Sequence, residues 1–129
     1  MLKYAYNLIR RLEMRELVKA FKALSDETRL RILNLLLERE CCVCEVIQAL
    51  DISQSRASRN LRVLEGAGFI KSRRDGLWII YSTDEQTMNK YAAYLTEVLR
   101  GSLVNEGVIL RDRERLSHTM RVGLRATRK

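Results

Sequence analysis

Proline is absent from the 129 residues, histidine occurs once, and aromatic residues make up only 6%. Without proline the chain carries no obligate helix breaker, and with Leu, Arg, Glu and Ala common it reads as mostly helical. No apolar run approaches the length of a membrane span, which excludes a spanning helix. The N-terminal residues do not read as a secretory leader, because Arg10 and Arg11 interrupt their apolar pattern. One histidine, remote in sequence from the thiols, leaves no nucleophile with a positioned base, so the sequence does not read as an enzyme. Cysteine is scarce too, yet Cys41, Cys42 and Cys44 fall within four consecutive positions. Three clustered cysteines make no disulfide framework, and reduced thiols in a cytoplasmic protein are expected.

What the chain has in excess is positive charge, +8 in all. Residues 51–83 hold six basic and three acidic groups, and residues 111–129 hold seven and two. Residues 84–110 are instead net acidic, with two basic and four acidic groups. Basic charge in two blocks suits a polyanionic partner, or else a solvated surface ending in a loose basic tail.

Apolar spacings of three and four predict a helix over residues 2–24, with a bend or stripe shift near Glu13 and Glu16. Ser25-Asp26-Glu27 predicts the start of the next helix, with Leu30, Leu33, Leu36 and Leu37 inward and Arg29, Arg31 and Glu38 outward. The cysteine segment is read as a short helix, followed by the turn Asp51-Ile52-Ser53. Ser53 caps a helix that buries Ala57, Leu61 and Leu64 and stops at Gly66-Ala67-Gly68. Its other side carries three arginines and no acid before Glu65, more than core packing asks for. Two strands then flank Arg74-Asp75-Gly76, since Asp-Gly between β-branched and aromatic runs signals a hairpin. A further helix is expected from Asp84, with Met88, Tyr91, Ala92, Leu95, Val98 and Leu99 on one face.

Helix, tight turn, polar helix and basic hairpin make a winged helix-turn-helix, mainly α with a β-hairpin wing. The second helix of such a unit fits the major groove of double-stranded DNA and the wing lies along adjacent backbone. Gln54, Ser55, Ser58 and Arg59 are the candidates for base contacts. Arg56, Arg62, Lys71, Arg73 and Arg74 are the candidates for phosphate, which set position rather than sequence. Residues 1–100 are read as the DNA-binding and dimerisation domain, and 101–129 as a basic, partly disordered C-terminal extension. That extension either reaches flanking phosphates or merely solubilises.

The residues 21–33 (Phe21-Lys22-Ala23-Leu24-Ser25-Asp26-Glu27-Thr28-Arg29-Leu30-Arg31-Ile32-Leu33) resemble the opening signature of the ArsR/SmtB metalloregulators. Cys42-Val43-Cys44-Glu45 is similar to their Cys-Val-Cys box, Ser53 to Leu61 to their recognition helix, and Arg74 to Tyr81 to their wing. The likeness covers about residues 17–83. It implies a homodimeric repressor that binds operator DNA without any cofactor and leaves it when a metal or metalloid binds. Thiolates select soft ions. In the arsenic-sensing relatives a third cysteine follows three residues after the box, where this chain has Ile47, so Cys41 is the candidate third sulfur. Cadmium-sensing relatives add an N-terminal cysteine that is absent before Cys41. Zinc-type relatives need histidines after the wing, where Asp84 is followed by Gln86, and His118 lies in the tail. Arsenite or antimonite held by Cys42, Cys44 and Cys41 therefore leads, ahead of zinc or cadmium.

Helix geometry sets a condition on that site. At about 100° per residue, Cys42 and Cys44 on a regular helix would lie about 160° apart, so the turn must open before one ion meets both. Two other readings of the cysteines stay open: a thiol redox switch, and small buried side chains with no chemistry.

Overall fold

The computed structural model describes residues 2–87 and 89–122. The expectations for Met88 and for residues 123–129, including Arg125, Arg128 and Lys129, lie outside the described residues.

The first helix, α1 (Leu2–Leu24), buries Ala20 and Ala23 among its described residues. Leu2, Ile9, Leu12, Met14, Val18 and Phe21 stay exposed, so much of its apolar surface has no cover among the described residues. Asp26 then turns the backbone. In extended conformation (φ −156°, ψ 130°), it accepts the Arg29 N–H at 3.0 Å and caps α2 (Glu27–Glu38). Ile32, Leu33, Leu35 and Leu36 of α2 are buried against α3 (Val43–Leu50) and α4 (Gln54–Gly66). Asp51, in the left-handed region at φ 55°, ends α3, and the Ser53 hydroxyl accepts the Arg56 N–H at 3.2 Å to start α4.

Gly68 takes φ 88° and releases the chain into the hairpin β2 (Ile70–Asp75) and β3 (Trp78–Thr83). A two-residue loop joins the strands, with Gly76 at φ 61° in its first position, as the right-handed strand twist prefers. The turn thus falls one residue later than the sequence reading placed it.

The cysteine segment is not one helix. Cys41–Cys42 form a short strand, β1, antiparallel to β3, and the sheet order is β1-β3-β2. Pairing on this side satisfies the second edge of β3, whose Ile80 is buried and needs its backbone groups covered. The helix after the wing also starts later than expected. Asp84 accepts the Gln86 N–H at 3.1 Å in a turn, whereas Asn89 caps α5 (Lys90–Leu99) by accepting from Tyr91 and Ala92 N–H. The Asn89 amide donates to the Ala67 and Glu16 carbonyls, both at 3.2 Å, so tertiary contacts choose the cap.

The last helix, α6 (Gly107–Ser117), packs on α2 and α3, burying Ile109, Asp112 and Leu116. Part of the expected basic extension is therefore an ordered element of the fold. Nor do Arg29 and Arg31 point outward. Arg31 meets both carboxylate oxygens of Asp112 at 2.8 and 2.9 Å. Arg29 donates to the Ala23 and Lys22 carbonyls at the end of α1 and to Asn60 Oδ1 on α4. A cation there satisfies carbonyls that the end of α1 leaves open.

Candidate nucleic-acid interface and thiol site

On α4, Ala57, Asn60, Leu61 and Leu64 face inward. Ser55, Arg56, Arg59 and Arg62 are exposed, and Gln54 and Ser58 are half-buried. The outward row is the one read from the sequence, but its arginines are not equivalent. Arg56 Nη2 donates to Thr28 Oγ1 at 2.8 Å and so ties the start of α4 to α2. On the wing, Arg73 pairs with Glu40 at 2.7 Å and lies 3.8 Å from Asp75. Arg59, Arg62, Lys71 and Arg74 form no salt bridge among the described residues. Ser72 donates to Glu65 at 2.8 Å, pinning the hairpin to α4.

Asn60 was missed as a polar core residue. It accepts from Arg29 of α2 and donates to the Arg56 carbonyl of its own helix at 2.9 Å, joining α2 to α4 at one buried amide. A polar residue on the apolar row of Ala57, Leu61 and Leu64 was the available signal.

Strand alternation separates the cysteines. Side chains in a strand point alternately to its two faces. Cys41, opposite Tyr81, enters the main core, whereas Cys42, opposite Ile80, packs with Cys44, Ile80, Trp78 and Val122. Burial pushes the Cys41 thiol up to about 12, and it donates to the Arg39 carbonyl at 3.4 Å. Cys41 is therefore not brought to the other two. Ile47 is likewise core, at 2% exposure.

Cys42 and Cys44 do come together, and they form a disulfide with their Cα atoms 5.3 Å apart. Both the 160° separation and the expectation of reduced thiols are thereby corrected. Cys42 stands outside the helix in extended conformation (φ −78°, ψ 166°), so the sulfurs meet with the first turn of α3 intact. Among the described residues, no group of three His, Cys, Asp or Glu side chains converges to hold a metal ion. His118 is exposed beside Glu114, and Asp84 lies in its turn.

Glu45 closes a capping box at the same spot. Its carboxylate accepts the Cys42 N–H at 2.9 Å, and its own N–H donates to Cys42 Sγ at 3.4 Å. Burial pushes this carboxyl toward the neutral form. The Cys42 N–H and the guanidinium groups of Arg39 (2.7 Å) and Arg121 (3.1 Å) more than offset that and hold it below the ordinary glutamate range. The segment after α6 is strapped across α3. Gln48 Nε2 donates to the Met120 carbonyl at 2.6 Å and its Oε1 accepts the Met120 N–H at 3.1 Å. Trp78 Nε1 donates to the Val122 carbonyl at 3.1 Å. Sequence reasoning missed this strap; Gln48 and Glu45, the two strongly polar residues of α3, were its traces.

Between α3, α4 and the wing lies a cleft of ≈ 410 Å³. Cys42 and Cys44 line it together with Gln54, Ser58 and Arg62 of α4 and Arg74, Trp78 and Tyr81 of the wing. The thiol pair thus shares one surface with four of the DNA-contact candidates.

Fold and surface define a winged helix-turn-helix protein. Residues 26–72 match the family described as "Bacterial regulatory protein, arsR family". The arsenical resistance operon repressor of Bacillus subtilis is 32% identical over 77 residues, covering 59% of this chain and 73% of that relative. A cadmium resistance transcriptional regulatory protein CadC homolog from Staphylococcus aureus is 43% identical over 72 residues, 55% of this chain. The chain spans only 60% of that relative's length. Among solved structures, the homodimeric winged helix-turn-helix DNA-binding domain Mb0332 from Mycobacterium bovis superposes with a TM-score of 0.59 at 26% identity, covering 73% of this chain and 83% of that one. The chain belongs to the arsR family of bacterial transcriptional regulators.

Proposed function

We propose that the protein is a cytoplasmic repressor that binds operator DNA as a homodimer and, once a small-molecule thiol has reduced the Cys42–Cys44 disulfide, releases that DNA when arsenite or antimonite binds the two thiols with loss of water. The observation that carries this reading is the shared cleft, in which the two sulfur-bearing residues stand beside Gln54, Ser58, Arg62 and Arg74. A ligand on the sulfurs changes the space between α4 and the wing, and two-handed DNA recognition needs both at a fixed separation. Gln54, Ser55, Ser58 and Arg59 reach base edges, and Arg62, Lys71 and Arg74 reach phosphates. Arg56 and Arg73 add to phosphate binding only by leaving Thr28 and Glu40. Cys41 is assigned no ligand role, because its thiol is buried on the far side of the strand. Two sulfurs fall short of the four ligands a closed zinc site takes, and a soft trivalent metalloid fits them better than zinc or cadmium.

The dimer is supported by the uncovered apolar residues of α1 and by Tyr94 and Val98 exposed on α5, a patch of the kind that subunit contacts bury. In this assignment residues 1–100 supply reading and pairing, and the strap at 119–122 belongs to the thiol site.

The Cys42–Cys44 disulfide favours a second reading, redox sensing. Peroxide would convert two thiols to the disulfide with release of two waters. Anisotropy of fluorescent DNA from upstream of the protein's own gene, bound by the reduced protein and titrated with arsenite, antimonite, zinc, cadmium and peroxide, separates the two. The metalloid reading expects release by arsenite or antimonite, abolished in Cys42→Ser and Cys44→Ser and kept in Cys41→Ser. Release by peroxide alone transfers the function to the redox reading. Binding unmoved by every titrant refutes both.

A further inference from the structure

We infer that Leu77, at the tip of the wing, is an apolar wedge for the minor groove of the bound duplex, where it opens a base step and bends the DNA. This inference rests on the DNA-binding reading and adds a contact that charge alone does not supply.

Leu77 is 78% exposed and stands second in the two-residue loop that joins β2 to β3. A lone apolar side chain on a surface is ordinary, but this one sits at the tip of a basic hairpin and on a defined face of it. Side chains paired across a sheet share a face, which groups Arg74 with Ile79 and Ser72 with Tyr81. That face turns to α4. Ser72 donates to Glu65, and Arg74, Leu77, Ile79 and Tyr81 line one cleft with Gln54 and Arg62. Leu77 thus continues the surface that holds the DNA-contact candidates. Asp75 shares the opposite face with Trp78 and lies 3.8 Å from Arg73, so the acid of the tip is turned away from that surface. Arg74, with no salt bridge among the described residues, stands on it.

Shape and bracing agree with this role. Gly76 beside Leu77 has no side chain, which leaves a slim tip of the kind a minor groove roughly 6 Å wide admits. Opening a base step costs stacking energy, so a wedge must not yield. The hairpin is held by Ser72 to Glu65 at 2.8 Å, Arg73 to Glu40 at 2.7 Å and Trp78 to the Val122 carbonyl at 3.1 Å. Pyrimidine–purine steps unstack most readily, so the wedge selects such a step without any hydrogen bond to a base edge.

The test uses the reduced full chain and a duplex from upstream of its own gene, labelled at both ends for fluorescence energy transfer. The wild-type protein is expected to bend this DNA by about 20° or more. Leu77→Ala is expected to lose most of the bend and to bind about fivefold more weakly, from the apolar contact removed. Its slope of log affinity against log salt should stay unchanged, because no charge is lost. Leu77→Phe should keep the bend. At a position this exposed both variants should hold the wild-type Tm. Hydroxyl-radical footprinting finds the minor-groove segment that Leu77→Ala uncovers. Exchanging a pyrimidine–purine step there for AA is expected to cost the wild-type protein about threefold or more and Leu77→Ala less than about twofold. Wild-type binding without a bend, or Leu77→Ala that binds and bends as the wild type does, overturns the inference and leaves the DNA-binding reading intact. The absence of such a step, or an exchange that costs both proteins alike, overturns the step selection. No binding by the wild-type protein overturns both readings.

Discussion

Replacing Arg31 by methionine removes one half of a buried clamp and keeps most of its apolar stem. The Asp112 side chain is 1% exposed and that of Arg31 21%, and two short hydrogen bonds join them across 81 residues of chain. Deleting one partner of such a pair leaves an uncompensated charge in the interior, which typically costs about 3–5 kcal/mol. A fifth of the Arg31 side chain already touches water, so the lower end, about 3 kcal/mol, is the figure to expect. For a chain of this length that corresponds to a fall in Tm of roughly 12 °C. The assay is urea and thermal unfolding by circular dichroism at fixed protein concentration, since association would stabilise the folded state. Adding Asp112→Leu to Arg31→Met should recover stability, because an apolar pair of similar volume has no charge to desolvate. A loss under about 1 kcal/mol for Arg31→Met, or a double variant as unstable as the sum of the singles, would refute the clamp's role in fastening α6.

Iodoacetamide at pH 8 should label Cys42 and Cys44 in the reduced protein and spare Cys41, whose thiol is held neutral up to about 12; peptide mapping in which Cys41 reacts as fast as its neighbours contradicts its burial. Arg59→Ala and Arg74→Ala should each lower the slope of log affinity against log salt by about one, whereas Arg56→Ala should leave the slope and reduce stability through Thr28. Glu45→Gln should flatten the acid limb of stability below about pH 4.3. The depressed native carboxyl contributes stability above its unfolded value near about 4.3, and that contribution is lost as pH falls through the lower folded value. An unchanged acid limb in the variant would show that the Arg39 and Arg121 contacts do not stabilise the ionised form.

Where the sequence was legible, short-range rules were in charge. Asp26 and Ser53 cap helices because a short side-chain oxygen suits a bare N–H three residues on. Ala57, Leu61 and Leu64 fall inward on spacing alone, and the wing follows from Asp75-Gly76 between β-formers. The misses have the opposite character. A two-residue strand has no period to read, so Cys41–Cys42 passed as helix, and with that the facing of all three thiols was wrong. Asn89 displaced Asp84 as a cap through contacts with Ala67 and Glu16. Arg31 with Asp112, and Gln48 with Met120, are pairings over more than seventy residues that no local pattern announces.

The capping box of α3 has a consequence for how the site could fail. At residue 42 a sulfur stands where serine or aspartate would serve better, accepting a backbone N–H at 3.4 Å instead of the shorter distance an oxygen reaches. Serine there tightens the helix start and at the same moment deletes half of the thiol pair. Under the proposed thiol sensing, the mutation that mutes the response is thus one that improves the helix cap. Such a variant would keep its α4 surface and stay on its DNA, a defect that a screen for loss of helix structure would pass over.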